Sequence, residues 1–341
     1  MWRLGSDASP SAATAPMQAD EGFVGYVVTE ERAALSADPG QPGVAVAGGL
    51  IFPVTSITNG DFEVLDNCNR PGWIPSEQVE EGSIPTERQR QMDRSVFVID
   101  PGHGAPDLGA VGPSGLTEAE ANLDVSARVV ELLGSGRDID WTTGAVKPGS
   151  AVPAAAVAIM TRYPGGPNGG DYELGLTFRA AMGNAVDATA LVSIHHNTQP
   201  TMDVDHPGTS AIVSATNAES QRLGSLMLEE VRRSLSGFEA DWVGGQGNGM
   251  VARVGADGDD YYTILARSEG PAAIVEGAYI SNPSEEALIM TDSFRQAYAE
   301  GVYRALVRFV TTDDYPIPAP EAELFDVAAP PRSMDDCVVP R

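Results

Sequence analysis

Four histidines are the whole imidazole supply of this 341-residue chain. Two of them stand where short apolar runs stop. His103 follows Val96-Phe-Val-Ile-Asp100 in the segment Pro101-Gly-His-Gly104, and His195 closes Thr189–Ile194 and is followed by His196 and Asn197. Glu118 opens a stretch with helical periodicity, and Glu276 sits inside the apolar run Ala272–Ile280. Two imidazoles and one carboxylate are a ligand set of catalytic zinc, which leaves a fourth position open to water. A further carboxylate within reach takes the proton of that water and returns it to a leaving amine. His103, Glu118 and His195 fit the ligand part, and Glu276 fits the base. Adjacent strand residues point to opposite faces, so one strand cannot present both His195 and His196 to one ion. Glu118 and Glu120 share the first turn of one helix, and only one of them should face the strand ends. An acid at Glu118 also suits the helix dipole. A carboxylate at Glu276 is costly unless it is functional or paired, for example with Arg267. His206, in Asp205-His-Pro, reads as a surface loop residue.

These groups need strands and helices to hold them. Residues 95–311 alternate short apolar runs with helical stretches. The strands are expected at 96–100, 156–161, 189–194, 210–214 and 272–280. The helices are expected at 118–133 (with Thr117 as N-cap), 172–186, 218–235 and 294–310. Such alternation predicts an α/β fold with a mostly parallel sheet and helices on both faces. Active sites of open α/β sheets lie beyond the C-terminal strand ends, where His103 and His195 stand. Before this unit, residues 22–80 show short apolar runs between Gly, Pro, Asn and Asp turns, the pattern of a small all-β barrel or sandwich of five or six strands. Residues 1–21 read as a flexible leader, 81–94 as a linker and 312–341 as a loose Pro/acidic tail.

Composition excludes several classes. With 21 Lys+Arg against 48 Asp+Glu the net charge is −27, so binding of nucleic acid or anionic lipid by surface charge is not expected. Apolar residues make up 42% of the chain, which is a globular composition. The longest apolar runs fall short of a membrane span. The two cysteines, Cys68 and Cys337, form no C-x-x-C pair, so a cysteine-built zinc site and a thioredoxin-like motif are ruled out. They can form one disulfide if the protein is exported. The first residues show no basic region followed by an apolar stretch, so no secretory signal is visible.

Taken together, these motifs resemble those of zinc-dependent N-acetylmuramoyl-L-alanine amidases of the amidase-3 type. Val98-Ile-Asp-Pro-Gly-His-Gly104 with Gly109-Ala and Gly112 resembles the segment carrying the first zinc ligand. Gly115-Leu-Thr-Glu118 followed by Asn122-Leu123 resembles the second, which selects Glu118 over Glu120. Ile159-Met-Thr-Arg162, Arg179, Asn184 and Ala190-Leu-Val-Ser-Ile-His195 resemble the approach to the third. Pro271-Ala-Ala-Ile-Val-Glu276 with Ser281-Asn282 and Glu285 resembles the segment of the catalytic Glu. The resemblance runs from about 95 to 310. It implies one catalytic Zn2+ held by His103, Glu118 and His195, and cleavage of the bond between N-acetylmuramic acid and L-alanine with Glu276 as base. Peptidoglycan or muropeptides are then the partner, met as a monomer outside the cell, in the wall or in the periplasm. His196, Asn197, Arg162 and Arg179 are candidates for substrate contacts. Another zinc-dependent (carboxy)peptidase of similar fold, with Arg162 or Arg179 on a terminal carboxylate, and an inactive wall-binding protein are the alternatives.

The chain departs from the family pattern in places. His196 stands where the family has Ala, and Ala278 where Glu-x-Gly-Phe has Gly. Residues 135–155 make a longer link than usual. The short stretch 197–208 leaves no room for a helix that plugs the cleft, whereas 239–262 is a candidate cover. Residues 22–80 resemble a bacterial SH3-like wall-targeting domain through Gly72-Trp-Ile-Pro-Ser76 and an Ala-x-x-Ser-x-x-Pro-Gly40 stretch.

Overall fold

The computed structural model describes residues 25–66, 68, 70–82, 91–163, 174–245 and 247–315, and the backbone of 323–326. The expected leader, residues 83–90 of the expected linker, and Cys337 lie outside the described residues. The N-terminal part is built from β1 (Gly25–Thr29), β2 (Ile51–Thr58), β3 (Asp61–Leu65), β4 (Pro71–Pro75) and β5 (Val79–Glu81). They pair antiparallel in the order β4-β3-β2-β1-β5. Asn59 and Gly60, both at positive φ, make the two-residue turn between β2 and β3, where Asn-Gly is the favoured pair.

The larger part begins with β6 (Val96–Pro101) and α1 (Glu118–Leu133). The hairpin β7 (Arg137–Asp140) and β8 (Ala145–Pro148) follows, then β9 (Val157–Met160), α2 (Leu176–Ala185), β10 (Ala190–Asn197), β11 (Ser210–Val213) and α3 (Ala218–Leu235). The chain continues through β12 (Met250–Val254), α4 (Thr263–Ala266), β13 (Ala272–Tyr279), α5 (Pro283–Ile289), α6 (Asp292–Thr311) and β14 (Glu323–Asp326). Seven of these strands form one sheet in the order β9-β6-β10-β13-β11-β12-β14. β9, β6, β10 and β13 are parallel neighbours, β11 lies antiparallel to β13, and β12 and β14 follow the direction of β11. Five of the six neighbouring pairs are parallel, as expected, and the antiparallel β13–β11 pair makes the sheet mixed. The 198–209 link holds only the two-residue strand Met202–Asp203 and no helix, so it does not make the helical crossover that usually joins parallel strands.

Helices cover both faces. α1, α3 and α6 bury Val125, Val129, Leu223, Leu226, Tyr298 and Leu306 on one face. On the other, Phe178 and Met182 of α2 share a core with Val27, Phe52, Phe62 and Ile74 of the N-terminal sheet. That sheet is thus packed onto the α/β unit. α1 and α3 occupy the expected spans because Thr117 and Asn217 cap their first amides. Two expectations are corrected. Residues 239–262 are no cover: β12 inside them is an interior strand of the sheet. The tail is not wholly loose, since β14 pairs with β12.

Candidate active site

β6 is buried along its length and stops at Pro101, after which Gly102-His103-Gly104 turns over the strand end. His103 takes φ 63, a left-handed conformation that costs a non-glycine residue about 1–2 kcal/mol. The turn aims its ring at α1. Glu118, the first residue of α1, accepts at Oε1 from the backbone N–H of His196 (3.2 Å) and at Oε2 from that of Ala110 (3.0 Å). His103 Nε2 lies 3.2 Å from Glu118 Oε2, and His195 Nδ1 lies 2.9 Å from Glu118 Oε1. One ligand atom from each of the three residues lies within 4.8 Å of the others. Gly102 makes this approach possible, because a Cβ there would overlap the His195 ring. A Cβ on Gly109 would press on His103 and Glu118 in the same way.

The residues present fit a zinc ion. The donor set is two imidazoles and a carboxylate. Asp107 Oδ2 sits 3.0 Å from His103 Nδ1 and, as a carboxylate, accepts its N–H, which leaves Nε2 for a cation. In the metal-free protein burial disfavours a charged His103, but the bonds to Asp107 and Glu118 outweigh it and hold its pKa up at about 9. The His103 bond brings Asp107 down to about 2. Glu118 is pushed up by burial, yet its bonds to His103 and His195 win and keep it well below the usual carboxylate range. Burial lowers His195, which favours the neutral ring that a metal needs. Asp107→Asn, which can keep the contact from the Gly109 amide, is expected to weaken zinc binding about 10–100-fold. Competition with a chromogenic chelator measures this.

Glu276 pairs with His195 across neighbouring parallel strands, so the two side chains stand on one face of the sheet about 4.8 Å of backbone apart. Its Oε2 is buried and has no hydrogen-bond partner among the described residues. The bridge to Arg267 is not formed; that residue lies exposed, its carbonyl bonded by Asn184. Burial and then the Glu118 charge push Glu276 up to about 8 in the metal-free protein.

Three of the four expected substrate contacts lie elsewhere. Arg162 is 0% exposed and donates to the carbonyls of Pro101, Gly102 and Ala119. Arg179 is 4% exposed and donates to Asp100 and to the carbonyls of Pro101 and His103. Both hold the turn that carries His103 from below and cannot meet a substrate. His196, 2% exposed, faces away from the site as strand alternation requires. Its Nδ1 pairs with Asn122 Oδ1 at 2.9 Å, and its ring packs edge-on against Tyr298. Asn197 alone stays half-buried beside the cleft, with Nδ2 3.0 Å from Ser210 Oγ. His206 is on the surface, paired with Asp205.

The sequence reading missed Asp100, Asp107 and Tyr298. Asp100 is fully buried and accepts from Thr161 (2.6 Å), Ser193 (2.6 Å) and Arg179 (2.7 Å), tying β6, β10 and α2 together under the site. Burial alone would raise its pKa, but the Arg179 charge and the two hydroxyls bring it below the usual range. Asp107, four residues beyond His103, was the one partner with a local signal. The Tyr298 hydroxyl, on α6, donates to the Val275 carbonyl (2.8 Å) and lies 3.2 Å from that of His195, and nothing near it in sequence marks that.

A family model described as N-acetylmuramoyl-L-alanine amidase matches residues 97–308. The N-acetylmuramoyl-L-alanine amidase AmiC of Neisseria meningitidis is 28% identical over 282 residues, 76% of this chain and 62% of that protein. The germination-specific N-acetylmuramoyl-L-alanine amidase of Bacillus subtilis is 25% identical over 228 residues, 64% of this chain and 81% of that one. A solved N-acetylmuramoyl-L-alanine amidase from Clostridium difficile 630 superimposes with a TM-score of 0.47 at 20% identity, over 64% of this chain and 98% of its own. The chain spans less than two thirds of the Neisseria relative. The family match itself covers more than half of the chain and runs from β6, which leads to His103, almost to the end of α6: the chain belongs to the amidase-3 family of N-acetylmuramoyl-L-alanine amidases.

Proposed function

We propose that this chain is a zinc-dependent amidase that cleaves the bond between N-acetylmuramic acid and the L-alanine of the peptidoglycan stem peptide. The observation that carries this reading is the convergence of His103, Glu118 and His195 beside a carboxylate, Glu276, whose buried oxygen has no partner among the described residues. Zinc held by the three ligands supplies polarisation of the scissile carbonyl and a water acidified to a pKa of about 7. Glu276 takes a proton from the attacking water and passes it to the amide nitrogen. The C–N bond breaks, which leaves a lactyl carboxylic acid on the sugar and a free L-alanine amine on the peptide. A group whose pKa stands near 8 without a cation, and falls beside one, is suited to both transfers. Asp107 keeps His103 in the tautomer that offers Nε2, and Arg162 and Arg179 fix the turn beneath it.

The peptidase alternative needs Arg162 or Arg179 on a terminal carboxylate, and both guanidinium groups are committed to buried carbonyls. The substrate puts the protein in the wall, in the periplasm or outside the cell. Cys68 is disulfide-bonded, in keeping with an oxidising compartment. The five-stranded antiparallel sheet and the Gly72-Trp-Ile-Pro-Ser76 segment support an SH3-like module at 22–80, and wall targeting is the role we give it. Digestion of purified peptidoglycan tests the activity. New L-alanine amino termini on free stem peptides are expected. Release of a C-terminal residue without them would overturn the amidase reading.

A further inference from the structure

The face of the sheet that carries Glu276 continues past the site. Ser210 of β11 pairs with Glu276, and Ile212 pairs with both Ile274 of β13 and Val251 of β12. Alternation along the strands puts Glu276, Ser210, Ile212, Val251 and Arg253 on one face. Packing agrees: Ile212 and Ile274 join the core on that face, while Ala211, Val213, Met250 and Ala252 join the opposite one. Ser210 and Val251 are only half-buried, so this floor is open to solvent beside the site. Tyr262, the residue before α4, stands on the same face, and the Arg253 guanidinium carbon lies 5.8 Å from its ring centroid. Arg253 is exposed and pairs with no carboxylate among the described residues, although the chain carries a net charge of −27. Its positive charge is felt at both Glu276 and Tyr262.

The strand order gives this cation a direction. His103 extends from β6, His195 from β10 and Glu276 from β13, then β11 and finally β12 with Arg253. Glu276 hands its proton to the leaving nitrogen, so the peptide half of the substrate lies on the Glu276 side of the ligands and continues towards Arg253. β13 and β12 are two strand spacings apart, about 10 Å, and the register sets Arg253 level with Ala272, four residues or about 13 Å along from Glu276, so the two backbone positions are about 16 Å apart. An extended peptide crosses that distance in about five residues.

We propose that Arg253, backed by the Tyr262 ring, is a specificity subsite for a carboxylate on the peptide half of the substrate, within about five residues of the scissile bond. The proposal rests on the amidase reading. A planar guanidinium stacked on an aromatic ring offers paired donors to a carboxylate, and a carboxamide cannot take both.

Two synthetic muropeptides test it, identical except that the carboxylate within this reach is a carboxamide in one. The zinc-loaded full chain is expected to favour the carboxylate about tenfold in kcat/KM, through KM. Arg253→Gln should lose about tenfold on the carboxylate and nothing on the carboxamide, and Arg253→Lys should recover part. Equal losses on both muropeptides, or no loss on either, would overturn the subsite. If the wild type cleaves neither, the amidase reading fails by itself. Calorimetric titration of zinc-loaded Glu276→Gln with both muropeptides then still decides: a tenfold affinity difference, abolished by adding Arg253→Gln, supports the subsite, and equal affinities refute it.

Discussion

Glu276→Gln should keep its zinc and lose turnover by a factor of about 10²–10⁴, the usual contribution of a positioned acid–base group. The amide fills the same space on β13 and still faces His195 across the strand pair. It cannot accept a proton from water at any working pH, so the leaving nitrogen goes without its donor. None of the three ligands is touched, so metal content should match the wild type. The comparison is therefore made on the same preparation: zinc by elemental analysis, and turnover by release of stem peptide. A variant that held zinc and kept full activity would remove Glu276 from the reaction.

Arg179→Met should produce the largest loss of stability, about 3–5 kcal/mol, which a chain of this size shows as a fall in melting temperature of roughly 5–15 °C. The reason is what stays behind. Asp100 is 0% exposed and would keep only the Thr161 and Ser193 hydroxyls, while the His103 carbonyl would lose its Arg179 donor and the Pro101 carbonyl would keep only Arg162. The sign with pH follows from the same contacts. With Arg179 gone, burial pushes the Asp100 carboxyl above its unfolded value. The deficit is then full at neutral pH and shrinks in acid, as the carboxyl takes up a proton. Asp100→Asn in the Arg179→Met background removes the stranded charge and should recover part of the loss. Unchanged melting of the single variant would contradict the account of the turn that carries His103.

Much of the site was legible in the sequence because its parts obey local rules. Thr117 caps α1 at the residue that brings Glu118 to the strand end, and alternation separates His195 from His196. What was not legible depends on partners distant in the chain. The reversal of β11 is set by its pairing with β13, and no pattern within Ser210–Val213 encodes a direction. β12 and β14 are short runs among Gly, Asp and Pro, and they become strands by pairing with each other and with β11. Arg162 and Arg179 matched the family pattern and were expected in the cleft. Their burial under the Pro101–His103 turn is a tertiary fact, since guanidinium groups serve a carboxylate ligand and a backbone carbonyl equally well.

The central claim is that His103, Glu118 and His195 hold one zinc ion. Zinc content per chain, measured for the wild type and for His103→Ala, Glu118→Ala and His195→Ala after equal reconstitution, tests it most directly. One ion in the wild type, lost or much weakened in each variant, is the predicted result. No zinc in the reconstituted wild type, or an ion that all three variants retain, would contradict it.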